Sequence, residues 1–196
     1  MKIKHCIYLL IALLFLAVIG LWTIKHVNLK TYTIGQPIDS LNGVYVYYNG
    51  KVSNVSGRNI TADGYNIGKK YQCVEFVKRY YYEYLNHKMP DSYGNAIDFF
   101  DSKLKDGQKN KQRNLTQYHN PSQTKPKVGD LLIFKGTVSN KYGHVAIVSK
   151  VTDRKIEIIQ QNPGKSTQSR ETISINRQGD KWQIKKKRII GWLRKD

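Results

Sequence analysis

Four side chains of types that can work together on an amide bond are spread through the chain: Cys73, His144, Gln160 and Asn162. Cys73 lies in YQCVEFVKRYYYEYL, where Cys73, Phe76, Val77, Tyr80 and Tyr84 recur at the i, i+3, i+4 spacing of one helical face. Glu75, Lys78, Arg79 and Glu83 fall largely on the other face, so the spacing predicts a helix over Tyr71–Leu85 with Cys73 in its first turn. Unpaired N–H groups and the positive dipole end at a helix start stabilise a thiolate, the nucleophilic form of cysteine. A buried cysteine can equally serve as a small apolar filler, and the partners of Cys73 decide between the two.

His144 follows the polar, glycine-containing turn NKYG and opens a β-rich stretch, GHVAIVSKV, which places it at a strand edge. In KIEIIQQN a period of two puts Ile156, Ile158, Gln160 and Asn162 on one face and Glu157, Ile159 and Gln161 on the other. If the two stretches pair as a hairpin through Thr152–Arg154, the far end of the second returns beside His144, and Gln160 or Asn162 can orient the imidazole. A thiol at a helix start, a histidine to move its proton and a polar group to fix the histidine tautomer together form the constellation of a cysteine protease.

The elements that must carry these residues follow from the rest of the 196-residue chain, which suits one domain plus an appendage. Lys2 and Lys4 precede Cys6–Trp22, apolar throughout and long enough to reach across a bilayer core. A cleaved signal peptide is the alternative; bulky residues, Leu21 to Ile24, stand where small-x-small would be needed, which favours an uncleaved anchor. Lysines flank the run on both sides, so the positive-inside count is nearly balanced. Residues 1–24 are read as a transmembrane anchor, 25–44 as a stalk and 45–196 as the folded domain. Asn42–Tyr48 has strand density, Gly94–Phe100 offers a short second helix, and Lys103–Lys127 is a polar, basic loop of about 25 residues. Strands follow at Val128–Gly136, Gly143–Val151, Lys155–Asn162, Thr172–Asn176, Trp182–Ile184 and Arg188–Leu193. Helices first and strands later predict an α+β fold with a mainly antiparallel sheet.

Thirty-three Lys and Arg against 14 Asp and Glu give a net charge of +19. Such a charge attracts polyanions, whether nucleic acid, anionic lipid or an acidic wall polymer. No nucleic-acid-binding motif accompanies the charge, so no nucleic acid is expected as a partner. Cys6 and Cys73 are the two cysteines, which leaves the folded part a single thiol with no internal disulfide and no zinc pattern.

In order, QCVEF, P-x-VGDLLIF, YGHVAIV, a strand ending QQN and a terminal IIGWL resemble the CHAP domain, the cysteine, histidine-dependent amidohydrolase/peptidase family. The resemblance covers about residues 45–196, and QCVEF and GNA look closest to the amidase half of bacterial glutathionylspermidine synthetase/amidase. It implies a papain-like, NlpC/P60-like fold; the NlpC/P60 relatives themselves usually carry histidine as the third polar residue. Carried over by motif, Cys73 is the nucleophile and His144 the general base and acid. Gln160 stands where the family usually has glutamate, and Asn162 is the accompanying asparagine. A neutral amide stabilises imidazolium less than a carboxylate does, so the thiolate–imidazolium pair is expected to be less populated. Glu157 lies three residues early on the other strand face, and a substitute role for it needs a bulge. The Cys73 N–H and the Gln72 side chain are oxyanion candidates by adjacency. No cofactor and no metal are expected. The implied activity is amide hydrolysis in peptidoglycan by a bacterial, single-pass membrane protein with its catalytic domain outside the cytoplasm. A glutathionylspermidine-type amidase and a catalytically weak, wall-binding scaffold are the alternatives.

Overall fold

The computed structural model describes residues 2–26, 32–164 and 168–196. The chain forms two compact units, 1–32 and 33–196. The first is one helix, α1 (Lys2–His26), whose Ile3–Trp22 stretch is long and apolar enough to cross a membrane.

The second unit is mixed helix and sheet, as the strand-dense second half of the sequence predicts. A hairpin of β1 (Pro37–Leu41) and β2 (Val44–Tyr47) and a second of β3 (Arg58–Ile60) and β4 (Asn66–Lys69) precede α2 (Cys73–Glu83). A single 3-10 turn at Ile97–Phe99 follows. Then come β5 (Gln108–Asn110), β6 (Leu115–His119), β7 (Leu131–Phe134), β8 (His144–Val151), β9 (Lys155–Ile159), β10 (Arg170–Gln178), β11 (Lys181–Ile184) and β12 (Ile189–Arg194). These eight form one antiparallel sheet in the order β11-β10-β9-β8-β7-β12-β6-β5. Ser122, just beyond β6, bridges to Trp182 in β11, so the sheet curls until its two ends nearly meet.

Strand alternation separates two cores. Val145, Ile147, Ile159, Leu131, Ile133 and Leu193 face α2, whose Phe76, Val77, Tyr80 and Tyr81 are buried against them, with Val44 and Val46 of β2 closing the side. Burying each of the large α2 side chains contributes about 1.5–3 kcal/mol. Ala146, Val148, Ile156 and Ile158 point the other way into a cluster around Trp192. The period-two reading of KIEII is thus correct through Ile159.

Two expectations fail. The polar stretch read as a loop over Lys103–Lys127 contains β5 and β6, and β6 pairs with β12 well inside the sheet. Its Gln117 is fully buried because its amide is used up: Oε1 accepts from the Asp101 N–H and Asn110 Nδ2, and Nε2 donates to the Asp101 carbonyl. Side-chain hydrogen bonds here replace the apolar pattern that marks other strands. The stalk read over 25–44 contains β1, held to β2 from Pro37 to Leu41; its residues 27–31 lie outside the described residues.

Candidate active site

Cys73 is the first residue of α2, with Gln72 as its N-cap in extended conformation. The Gln72 carbonyl already accepts from Phe76 N–H (3.2 Å), which starts the helix one residue before the cysteine. Gly68 on β4 allows the close approach behind it: at φ +139° a Cβ there would lie 3.1 Å from the Glu75 Cα. The main-chain N–H groups of Val145, Val74 and Cys73 itself lie near enough to the partly buried Cys73 thiol to act on its charge. Burial raises its pKa, and the three donors offset only part of that rise. The helix start therefore holds a thiol at neutral pH, whereas position at the helix end alone favours a thiolate.

Val145 ties the sulphur to the strand that His144 opens. Gly143 makes the turn into that strand, at φ +76° and with room for no Cβ, since one would stand 2.6 Å from the Phe134 carbonyl oxygen. The imidazole is buried edge-on to the Phe134 ring (centroids 5.5 Å apart), and its Nε2 is 3.0 Å from Gln160 Oε1. An amide oxygen only accepts, so the facing nitrogen carries the proton and Nδ1 keeps its lone pair. Burial lowers the His144 pKa to about 4; the Gln160 bond works against that, and the charges of Arg188 and Lys186 add to it. The site at rest is a neutral thiol and a neutral imidazole.

The structure brings Gln160 to His144, while Asn162 goes elsewhere. Asn162 adopts a left-handed conformation (φ +54°), which ends the strand alternation. Its Nδ2 donates to Gln72 Oε1 (2.7 Å) and the Val52 carbonyl (2.9 Å). The expectation that Asn162 shares a face with Gln160 is corrected accordingly. Gln72 is also turned away from an oxyanion. Its Nε2 donates to the carbonyls of Val52 (3.1 Å) and Asn54 (2.7 Å), which uses both hydrogens on a loop. The Cys73 N–H lies close to the sulphur. Glu157 is occupied away from His144, accepting from Ser149 Oγ (2.8 Å) and pairing with Arg170 (2.8 Å), although β8 does bulge beside it at Ser149.

Two features escaped sequence reasoning. The Val145 N–H has no sequence signature, because main-chain donors depend only on where strands pass. Gln161 is fully buried and bonds to three partners on β2 and α2; the signal was an unexplained second amide in QQN.

The His144 environment predicts an acid-sensitive fold. In the unfolded chain the histidine titrates near 6.5, and in the folded one near 4. Above pH 6.5 both states are neutral and the stability is complete; as the pH falls toward 4, only the unfolded chain takes up the proton, and stability is lost. Between pH 7 and 4.5 the protein should lose about 2–3 kcal/mol more than His144→Gln does. Urea titrations at the two pH values measure this, and equal losses in both proteins would contradict the buried, neutral histidine.

A CHAP-domain family profile matches residues 61–162, just over half of the chain, from ahead of the Cys73 helix through Asn162. Trypanothione synthetase from Crithidia fasciculata is 30% identical over 107 residues, 55% of this chain. The chain spans only 16% of that relative's length. A cysteine-bearing helix start, a strand-edge histidine and the matched segment enclosing both coincide, and the chain belongs to the CHAP domain family, whose members are generally amidases and other hydrolases.

Proposed function

We propose that the protein is a membrane-anchored cysteine amidase or endopeptidase that cuts amide bonds of peptidoglycan through a thioester. The observation that carries this reading is a thiol at the first residue of α2, close to the Val145 main chain, with the neighbouring His144 held in one tautomer by Gln160. His144 Nδ1 takes the thiol proton as Sγ attacks the carbonyl carbon, and main-chain N–H groups at Cys73 receive the developing oxyanion. His144 then gives that proton to the departing amine, which leaves an acyl group on Sγ. Water, deprotonated by His144, attacks the thioester; the carboxylic acid departs and the thiol is restored. Gln160 holds the imidazole throughout without adding a charge.

The likeness to trypanothione synthetase, together with the resemblance to the glutathionylspermidine amidase, favours a second reading, a polyamine-bearing amide. Electrostatics weighs against it. A polycation meets a protein of charge +19, and the groove of about 120 Å³ beside Gln160 offers it no carboxylate. Ile38, Tyr47, Asn49, Asn162 and Ser169 are among the groove's residues, none of them charged. An anionic wall suits the protein's charge, and the main-chain amides of a peptide stem need no carboxylate from the groove. The apolar α1 would hold the enzyme at the membrane, with the catalytic domain facing the wall.

Mass spectrometry after incubation of the detergent-solubilised full chain with purified peptidoglycan and, separately, with glutathionylspermidine tests the choice. New muropeptide fragments are expected, with polyamine release at least tenfold slower at equal substrate concentration. Polyamine release alone would overturn the peptidoglycan reading, and fragment masses separate a sugar–peptide cut from a peptide–peptide cut.

A further inference from the structure

Adjacent side chains of extended chain point to opposite faces, and Gln160 and Gln161, which follow directly on β9, use that alternation on the two halves of the site. Gln160 reaches His144, while Gln161 reaches the helix that carries Cys73. Fully buried, Gln161 donates from Nε2 to the Gln72 carbonyl (3.1 Å) and to Glu75 Oε2 (2.9 Å), and its Oε1 accepts from the Tyr47 N–H (2.7 Å). Gln72 caps α2, and Glu75, in its first turn, is itself fixed by Arg79 (2.7 Å) and Asn59 (2.9 Å). The Gln72 carbonyl, already bonded to Phe76 N–H, thus takes a second donor from across the site.

We propose that Gln161 is a positioning residue that sets the register between nucleophile and base by pinning the start of α2 to the strand end that orients His144. The inference rests on the Cys73–His144 reading above and adds to it a residue that touches neither the thiol nor the imidazole. Three bonds to three backbone or carboxylate partners fix the side chain in full, so its length translates directly into the offset between helix start and strand. A methionine of similar length keeps the volume and loses all three bonds.

The test is a double-substitution cycle on the detergent-solubilised full chain, read as the rate of Cys73 alkylation by iodoacetamide at pH 7, which requires no substrate. With Gln161 present, His144→Gln should slow alkylation about tenfold, because the base is lost. With Gln161→Met, the same histidine substitution should change the rate less than twofold, while circular dichroism shows a folded protein at the assay temperature. If His144→Gln still slows alkylation tenfold in the Gln161→Met protein, Gln161 only stabilises the fold and the inference fails. If His144→Gln has no effect even with Gln161 present, the catalytic pair itself is refuted and takes this inference with it. Should Gln161→Met not fold, Gln161→Asn, one methylene shorter and still polar, enters the same cycle and must lower the histidine effect at least threefold.

Discussion

Cys73→Ala should lower the rate of amide hydrolysis by roughly 10⁴-fold or more, the scale seen when a covalent nucleophile is removed from an enzyme that acts through one. The folded unit holds no second thiol to take its place, since the chain's other cysteine is Cys6 within α1. The pH profile of the intact protein should carry a second mark of the same chemistry. The reactive form pairs a neutral thiol with a neutral imidazole, and the imidazole is protonated only near pH 4. The acid limb of kcat/KM should therefore lie close to pH 4 and well below the ordinary histidine value of about 6.5. Steady-state hydrolysis between pH 3.5 and 9, corrected for the folded fraction, measures both. Activity in Cys73→Ala within tenfold of the intact protein would remove the nucleophile, and an acid limb near 6.5 would show that His144 meets solvent freely.

Arg113→Met should destabilise the folded unit by about 3 kcal/mol or more. Arg113 is fully buried, and its guanidinium carbon lies over the Phe99 ring, 4.1 Å from the centroid. It donates to the carbonyls of Asp91, Tyr93 (3.1 Å) and Asp98 (3.2 Å), so its loss strands three acceptors, each at about 1–3 kcal/mol before relaxation. Methionine retains much of the apolar stem and isolates the hydrogen-bonding loss from a cavity. The effect should reach the site, because the segment that Arg113 braces includes Ile97, whose N–H bonds the Tyr142 carbonyl (3.0 Å) two residues before His144. A lowered urea midpoint at unchanged slope measures the loss, and a shift worth under 1 kcal/mol would show the carbonyls re-paired with water.

The sequence disclosed those parts of the site whose position follows from apolar periodicity. The i, i+3, i+4 pattern from Cys73 sets the α2 face, and the alternation in HVAIV and KIEII sets the strands that bring Gln160 back to His144. Where polar groups are buried by bonding to each other, periodicity fails: Gln117 and Asn110 hide β5 and β6 inside a segment that reads as loop. The departure of Asn162 depends on one left-handed residue, which a period of two does not register. Gln161 finds its partners 86 to 114 residues away and Gln72 its partners 18 to 90 residues away, and no local pattern encodes such pairings. The thiol's raised pKa is likewise a property of burial, which competes with the helix end and wins.

The placement of β12 bears on when the sheet is completed during synthesis of the chain. β12 lies between β7 and β6, yet it leaves the ribosome after every other strand of the sheet. Until residues 189–194 emerge, a nascent chain has β6 and β7 as unpaired edges with nothing between them, and exposed edges of that kind recruit chaperones and neighbouring chains. The sheet that carries His144 is thus complete only when its last-made strand slots between two earlier ones.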